Sequence, residues 1–183
     1  MEVFKMQFGK ILSAGILAVG IIFTGCGDDS ADNSMVVQAS AEKFPQFSTV
    51  NLSNETVTNS IFAQKKITVV NIWGTFCPPC IEEMPELGEW SDNMPADAQI
   101  IGLVCDVENF DDSQTIDAAK KILREANANF VNILPDENLK KYLETVDAVP
   151  TTIFIDAQGN MIGEPVVGAS VEMYKQRVTD YLK

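Results

Sequence analysis

Two cysteines separated by two residues are the clearest chemical feature of the chain. Cys77 and Cys80 follow a β-branched run, residues 67–73, and precede a segment whose apolar residues have helical spacing. At the start of a helix, free backbone N–H groups and the positive end of the dipole favour a thiolate and lower the pKa of Cys77. Cys80 lies one turn further in, within disulfide reach. The pair predicts a redox site in which an exposed Cys77 attacks and Cys80 resolves the mixed disulfide.

Zinc binding and a purely structural disulfide are the other common uses of a C-x-x-C pair. The chain has no histidine, and its two other cysteines, Cys26 and Cys105, lie in separate segments. These residues do not make a compact four-ligand zinc site, and Cys-His hydrolases and His-ligated metal centres are excluded as well. We therefore expect no cofactor and no metal, while a structural disulfide stays open. Cys105 lies in an apolar run, so we expect it to pack as a buried hydrophobe, with a third redox role as the alternative.

The first 43 residues have the pattern of an export signal followed by a linker. Lys5 and Lys10 precede an apolar stretch, residues 11–23, which is shorter than the ~20 residues of a membrane-spanning helix. The Phe-Thr-Gly-Cys sequence at residues 23–26 resembles a bacterial lipobox, in which the cysteine is acylated. We expect a signal peptide at 1–25, lipidation at Cys26 and a flexible tether at 26–43. A cleaved signal peptide with an incidental cysteine, or an uncleaved anchor helix, would also export the domain.

Strands and helices alternate through residues 44–183, the predicted single domain. A β-hairpin over 47–58 comes first, and residues 67–73 form a continuous apolar run typical of a central strand covered on both faces. The remaining pattern predicts a helix from Pro78, a strand at 100–105, a helix at 112–127, a strand at 130–134, a short helix at 139–146 and a strand at 151–155. A hairpin through Gly159 into residues 161–163 follows, and the chain closes on a helix from Val171 with Tyr174 on its apolar face. This order predicts an α/β sandwich with a mixed sheet.

Three motifs together resemble the TlpA/ResA-like branch of the thioredoxin superfamily. They are the run WGTFCPPC at residues 73–80, Pro85 in the following helix, and Val-Pro-Thr at 149–151. The resemblance implies a thioredoxin-like three-layer sandwich with a mixed central β-sheet, an N-terminal β-hairpin and a central insertion, which the helix at 112–127 and its following strand match. It also implies that a cis peptide bond precedes the proline of the last motif, which packs beside the redox pair. The residues expected to contact substrate are Trp73, Phe76, Val149, Pro150 and Thr151.

Glu83 is the candidate proton partner of the cysteine pair. It matches a glutamate of the ResA-like branch, and Asn71 stands where thioredoxins carry a buried aspartate that moves protons. Without histidine, a carboxyl group near the cysteines is the best remaining group to transfer a proton or tune their pKa values. The alternative is a solvated charge in the first turn of the helix.

The resemblance implies a thiol-disulfide oxidoreductase that reduces disulfides of exported proteins, for example apocytochrome c, and is itself reduced by a membrane thiol carrier of the CcdA/DsbD type. A reductant also fits Pro78 and Pro79, which lack N–H groups and so offer the Cys77 thiolate few donors. An electron donor to an exported reductase, such as methionine sulfoxide reductase, is an alternative.

Two rival classes fit the composition poorly. A peroxiredoxin-like antioxidant enzyme needs Thr-x-x-Cys with a nearby arginine, and the chain has only Arg124 and Arg177. A Sco-type metal-binding module needs histidine. The formal charge of −13 excludes nucleic acid as a partner and leaves membrane attachment to the lipid anchor. We expect a monomer anchored outside a bacterial cytoplasmic membrane.

Cys26→Ala tests the anchor. Loss of the acylated thiol should release the protein from the membrane fraction or leave an unprocessed precursor, because the charge of the chain gives no other membrane attachment. Cell fractionation and intact mass measure both effects. An unchanged mass and membrane content would rule out the lipoprotein assignment.

Overall fold

The computed structural model describes residues 42–183. The predicted signal peptide at 1–25, the lipidation site Cys26 and all but the last residues of the predicted tether at 26–43 lie outside the described residues. Within residues 42–183, no helix is both long enough and apolar enough to cross a membrane.

Residues 42–183 form seven strands and four helices, which follow the order that the sequence predicts except at the last strand. The strands are β1 Ser48–Val50, β2 Thr56–Thr58, β3 Ile67–Trp73, β4 Ala98–Val104, β5 Val131–Ile133, β6 Thr151–Asp156 and β7 Val166–Val167. The helices are α1 Pro78–Asp92, α2 Ser113–Glu125, α3 Glu137–Leu143 and α4 Val171–Tyr181, and a 3₁₀ helix spans Asn59–Gln64.

A mixed five-stranded sheet organises the fold, with strand order β5-β4-β3-β6-β7. β3 pairs in parallel with β4 and antiparallel with β6, which aligns Asn71 with Gly102 on one side and with Thr152 on the other. All seven residues of β3 are buried, as expected for a central strand covered on both faces. β1 and β2 form the predicted N-terminal hairpin as a separate two-stranded sheet.

Helical layers cover both faces of the sheet. One core contains Met84 and Leu87 of α1, Leu123 of α2 and Val178 of α4. The other core contains aromatic residues before the 3₁₀ helix and within it, together with Leu139 of α3. The structure is therefore the three-layer α/β sandwich with a mixed sheet that the resemblance implies.

The last hairpin differs from the prediction. Residues 161–163 do not form a strand, and Met161 makes only an isolated bridge to Ile155, while β6 pairs with β7 at Val166–Val167. Gly163 has a positive φ of 65° and Pro165 follows it, so the backbone leaves the sheet before returning to it.

Candidate active site

A disulfide joins Cys77 and Cys80 at the start of α1, with their Cα atoms 5.3 Å apart. Cys77 is the residue that precedes the helix, and the backbone N–H of Cys80 points at its Sγ atom at 3.3 Å. Pro78 and Pro79 occupy the first two helical positions and have no N–H group. The Cys77 sulfur therefore receives one backbone donor where an ordinary helix start offers more.

Hydrogen bonds to Asp106 fix the turn that carries the cysteines. Both the backbone N–H and the hydroxyl of Thr75 donate to Asp106 Oδ2, at 3.0 and 2.6 Å. The N–H of Cys77 donates to the carbonyl of Gly74 at 3.2 Å. These bonds hold the turn at the carboxyl end of β3, where the sequence places it.

The cysteine pair is less exposed than the sequence predicts. Cys77 is 4% exposed and Cys80 is completely buried, whereas the neighbouring Phe76 is 67% exposed. The order of exposure agrees with the expected roles of the two cysteines, but the expectation of an openly exposed Cys77 is wrong. The residue is enclosed because the loop before β6 packs against it.

That loop contains a cis peptide bond between Val149 and Pro150, as the resemblance implies. The carbonyl oxygen of Val149 lies 3.5 Å from Cys77 Sγ. Thr151 is buried, and its hydroxyl donates to the carbonyl of Ala148 at 2.8 Å, within the same loop. The structure thus brings the backbone of Val149 to the cysteine pair, while the Thr151 hydroxyl is bonded within its own loop.

Trp73 does not lie at the rim of the site, and its expected contact with substrate is wrong. The ring is completely buried, and its Nε1–H donates to Asn132 Oδ1 at 2.9 Å. Gly102 leaves room for this bond, because a Cβ atom there would collide with the Asn132 side chain and with Trp73 Nε1. Trp73 therefore belongs to the core, and the exposed Phe76 is the aromatic residue next to Cys77 in the chain.

Glu83 lies in the interior of the protein, on the same helix as the cysteines and three positions after Cys80. It is 6% exposed, which rules out the alternative of a solvated first-turn charge. Burial raises its pKa to about 7, even though hydrogen bonds from Asn71 and Tyr174 partly oppose that shift. A carboxyl group with such a pKa exchanges its proton near neutral pH.

Two polar side chains contact the Glu83 carboxyl group, and a third bonds to one of them. Asn71 Nδ2 donates to Glu83 Oε1 at 2.8 Å and to Thr152 Oγ1 at 3.1 Å. Tyr174 Oη lies 3.2 Å from Glu83 Oε2. Asn71 Oδ1 is buried without a hydrogen-bond partner. The buried carboxyl group thus comes from the helix, and the strand provides a neutral amide.

Sequence analysis did not identify Thr152 and Tyr174 as part of this cluster. Tyr174 lies on the apolar face of α4, where its spacing indicated only a core residue. Both residues are completely buried. Each residue has a hydroxyl group in an otherwise apolar pattern. Because a buried hydroxyl group needs a hydrogen-bond partner, this feature of the sequence could have indicated a polar cluster.

A groove of about 510 Å³ opens beside the cysteine pair. Its apolar wall is made by Phe76, Leu143, Val146 and Val149, and two carboxylate residues, Asp106 and Asp147, also line it. The groove therefore offers an apolar surface with acidic groups next to the Cys77 sulfur.

Cys105 also lines this groove, one residue beyond the end of β4. It is a free, half-buried cysteine, and burial raises the pKa of its thiol to about 11. A thiol with so high a pKa is a poor nucleophile near neutral pH. Cys105 is thus less buried than the sequence predicts, and the high pKa of its thiol gives no support to the alternative of a third redox role.

Comparison with known proteins assigns the family. A family model described as Redoxin matches residues 39–181. The chain belongs to the Redoxin family. Thiol-disulfide oxidoreductase ResA of Bacillus thuringiensis is 29% identical over 142 residues, which cover 76% of this chain and 74% of the relative. This Redoxin protein is a TlpA/ResA-like member of the thioredoxin superfamily and a thiol-disulfide oxidoreductase.

Solved structures agree with the fold. A thiol:disulfide interchange protein from Chlorobium tepidum superimposes with a TM-score of 0.65 at 20% identity, covering 79% of this Redoxin chain and 99% of that one. An exposed lipoprotein thioredoxin from Streptococcus pneumoniae gives a TM-score of 0.59 at 19% identity, covering 74% and 98% of the two chains. At these identities the matches establish the thioredoxin-like architecture.

Glu83→Gln should move the alkylation profile of the reduced cysteine pair to lower pH by about one unit. An ionised carboxylate disfavours a thiolate nearby, so its removal lowers the cysteine pKa values. The measurement is the rate of alkylation against pH in a Cys105→Ser background. Glu82→Gln, the same change on the exposed side of α1, is the matched control and should leave the profile in place. A superimposable profile for Glu83→Gln would show that this carboxyl group does not influence the cysteines.

Proposed function

We propose that this Redoxin protein is a membrane-tethered, extracytoplasmic reductant of disulfides in exported proteins. The observation that carries the proposal is the Cys77–Cys80 disulfide at a helix start with a single backbone donor, on the same helix whose next turn carries the buried Glu83. The proposed catalytic residues are Cys77, Cys80 and Glu83, and no cofactor takes part. Residues 149–151 and Phe76 form the proposed substrate-binding surface.

The reaction begins with the reduced cysteine pair. The Cys77 thiolate attacks one sulfur of the client disulfide, which forms a mixed disulfide and releases the other client sulfur as a thiolate. The Glu83 carboxylate then takes the proton of the Cys80 thiol, and the Cys80 sulfur attacks Cys77 Sγ. This step breaks the mixed disulfide, frees the second client thiolate and forms the Cys77–Cys80 bond. The client gains two electrons, and the enzyme dithiol loses them.

The direction of electron flow is supported by the surroundings of Cys77. A thiolate with one backbone donor is less stabilised than one with several, and an ionised Glu83 nearby destabilises it further. A less stabilised thiolate makes the reduced form a stronger reductant. We therefore infer a potential nearer to the roughly −270 mV of thioredoxin than to the roughly −120 mV of DsbA.

The groove beside Cys77 supports a protein client. An extended segment paired with the backbone of residues 149–151 would place an apolar side chain against Phe76 and a basic side chain near Asp106 or Asp147. Apocytochrome c is one client of this kind, and a membrane thiol carrier of the CcdA/DsbD type would restore the reduced pair. A role as electron donor to an exported reductase uses the same chemistry.

The proposed location rests on the N-terminal pattern ending at Cys26, and the pneumococcal neighbour is itself described as an exposed lipoprotein.

A peroxidase function has less support. Arg177 packs over the Phe154 ring, 5.4 Å from its centroid, and donates to the carbonyl of Glu164. Arg124 lies in the last turn of α2. Within residues 42–183, neither guanidinium group is hydrogen-bonded to the cysteine pair.

Trapping of clients tests the roles of the two cysteines. In a Cys105→Ser background, Cys80→Ser should hold client proteins as mixed disulfides on Cys77, because no thiol remains to resolve them. Cys77→Ser should trap few, since Cys80 is fully buried. Non-reducing gels and mass spectrometry of the trapped species give both the yield and the client, and the double variant Cys77→Ser/Cys80→Ser sets the background. Equal yields from the two single variants, or none from either, would contradict the proposal.

A further inference from the structure

The hydroxyl group of Tyr174 has more neighbours than a simple packing role requires. Its Oη atom lies 2.9 Å from the carbonyl oxygen of Gly168 and 3.2 Å from Glu83 Oε2. It also accepts a hydrogen bond from the backbone N–H of Ser170 at 3.2 Å. Tyr174 is completely buried, while Gly168 and Ser170 are half-buried.

The number of hydrogens in this cluster depends on Glu83. A phenol has one hydrogen to donate, and a carbonyl oxygen can only accept. If Tyr174 donates to Gly168, the shorter contact, then the contact with Glu83 Oε2 contains a hydrogen only when Glu83 is protonated. If Glu83 is ionised, both neighbours are acceptors and compete for the one hydrogen of Tyr174. A carboxylate is the stronger acceptor of the two.

Gly168 connects the hydrogen bond of the Tyr174 hydroxyl to the loop that lies against the cysteine pair. Its N–H donates to the carbonyl of Pro150 at 2.8 Å. Pro150 follows Val149, whose carbonyl oxygen lies 3.5 Å from Cys77 Sγ. Gly168 has a positive φ of 90°, and nothing lies within 4 Å of the position where its Cβ atom would be. Gly168 itself is thus held by hydrogen bonds rather than by side-chain packing.

We propose that Tyr174 is a positioning residue that couples the proton on Glu83 to the Gly168–Pro150 contact and so to the surface that receives the client. The inference rests on the proposed function, in which Glu83 takes the Cys80 proton. In the oxidised enzyme the protonated Glu83 donates to Tyr174, and Tyr174 donates to Gly168. When Glu83 loses its proton, the Tyr174 hydroxyl turns to the carboxylate and the Gly168 carbonyl loses its donor.

Few other charged or titratable groups face Glu83. On α1 they are Cys80, which is in the disulfide, and Glu86, whose charge adds to the upward shift of the Glu83 pKa. On α4 the neighbour of Tyr174 is Lys175, and its Nζ is 2.7 Å from Glu86 Oε1. The sheet contributes the neutral side chains of Asn71 and Thr152. A change of the Tyr174 hydrogen bonds with pH would therefore reflect the titration of Glu83.

The test follows the carbonyl carbon of Gly168 by NMR in the oxidised full-length protein as pH is varied. The signal should titrate with the same midpoint as the Glu83 carboxyl carbon in the wild type. Tyr174→Phe should abolish the titration of Gly168 while the Glu83 carboxyl carbon still titrates. Tyr142→Phe, which removes the hydroxyl of a tyrosine in the other core, is the matched control and should keep both titrations.

Two results would overturn the proposal: a Gly168 signal that is independent of pH in the wild type, or one that titrates equally in Tyr174→Phe. If Tyr174→Phe fails to fold, the titration of the Gly168 carbonyl carbon in the wild type still tests the proposal. Glu83→Gln should remove the Gly168 titration, which identifies the titrating group. Because this experiment uses oxidised protein without a client, its failure is distinct from a failure of client trapping by Cys80→Ser.

Discussion

The burial of one carboxyl group beneath the redox helix is the constraint on which the rest of the site depends. Glu83 lies on the inner face of α1, and removing a carboxylate from water is costly unless it is hydrogen-bonded or protonated. The protein meets this cost with hydrogen-bond partners from two elements, and a third element holds one of them in place. Asn71 comes from the central strand, Tyr174 from the last helix, and Thr152 holds the amide of Asn71 in place from the neighbouring strand.

The buried acid of this site lies on α1, whereas the resemblance places the buried aspartate of thioredoxins at the position of Asn71 on β3. An aspartate at position 71 would put a second carboxylate within hydrogen-bond distance of Glu83, and two such groups do not both ionise. The neutral amide of Asn71 donates instead, at the cost of one buried oxygen without a partner. The proposed proton acceptor then lies on the same helix as Cys80, three positions further along.

The local chemistry was largely predictable from sequence, because it depends on short spacings. The β-branched run of β3, the C-x-x-C motif and the prolines of α1 place the cysteine pair at a strand-to-helix junction without knowledge of the remaining fold. The contacts of Glu83 were not predictable in the same way. Tyr174 is 91 positions away from Glu83, and its helical spacing is equally typical of a core residue. The position of the Trp73 ring was predicted wrongly for a similar reason. Only the packing of Gly102 against Asn132 shows that the Trp73 ring points into the core.

Unfolding of the oxidised protein in denaturant, with wild type and Glu83→Gln compared across pH, tests the central claim most directly. The pKa of Glu83 rises from 4.5 to about 7 on folding, so the folded protein holds a proton that the unfolded chain has released. The unfolding free energy of the wild type, relative to Glu83→Gln, should therefore be highest at low pH and fall by about 3 kcal/mol as pH rises through this interval. Glu82→Gln should follow the wild type. A difference between wild type and Glu83→Gln that stays constant with pH would contradict the account, since it would mean that Glu83 is not a buried proton carrier.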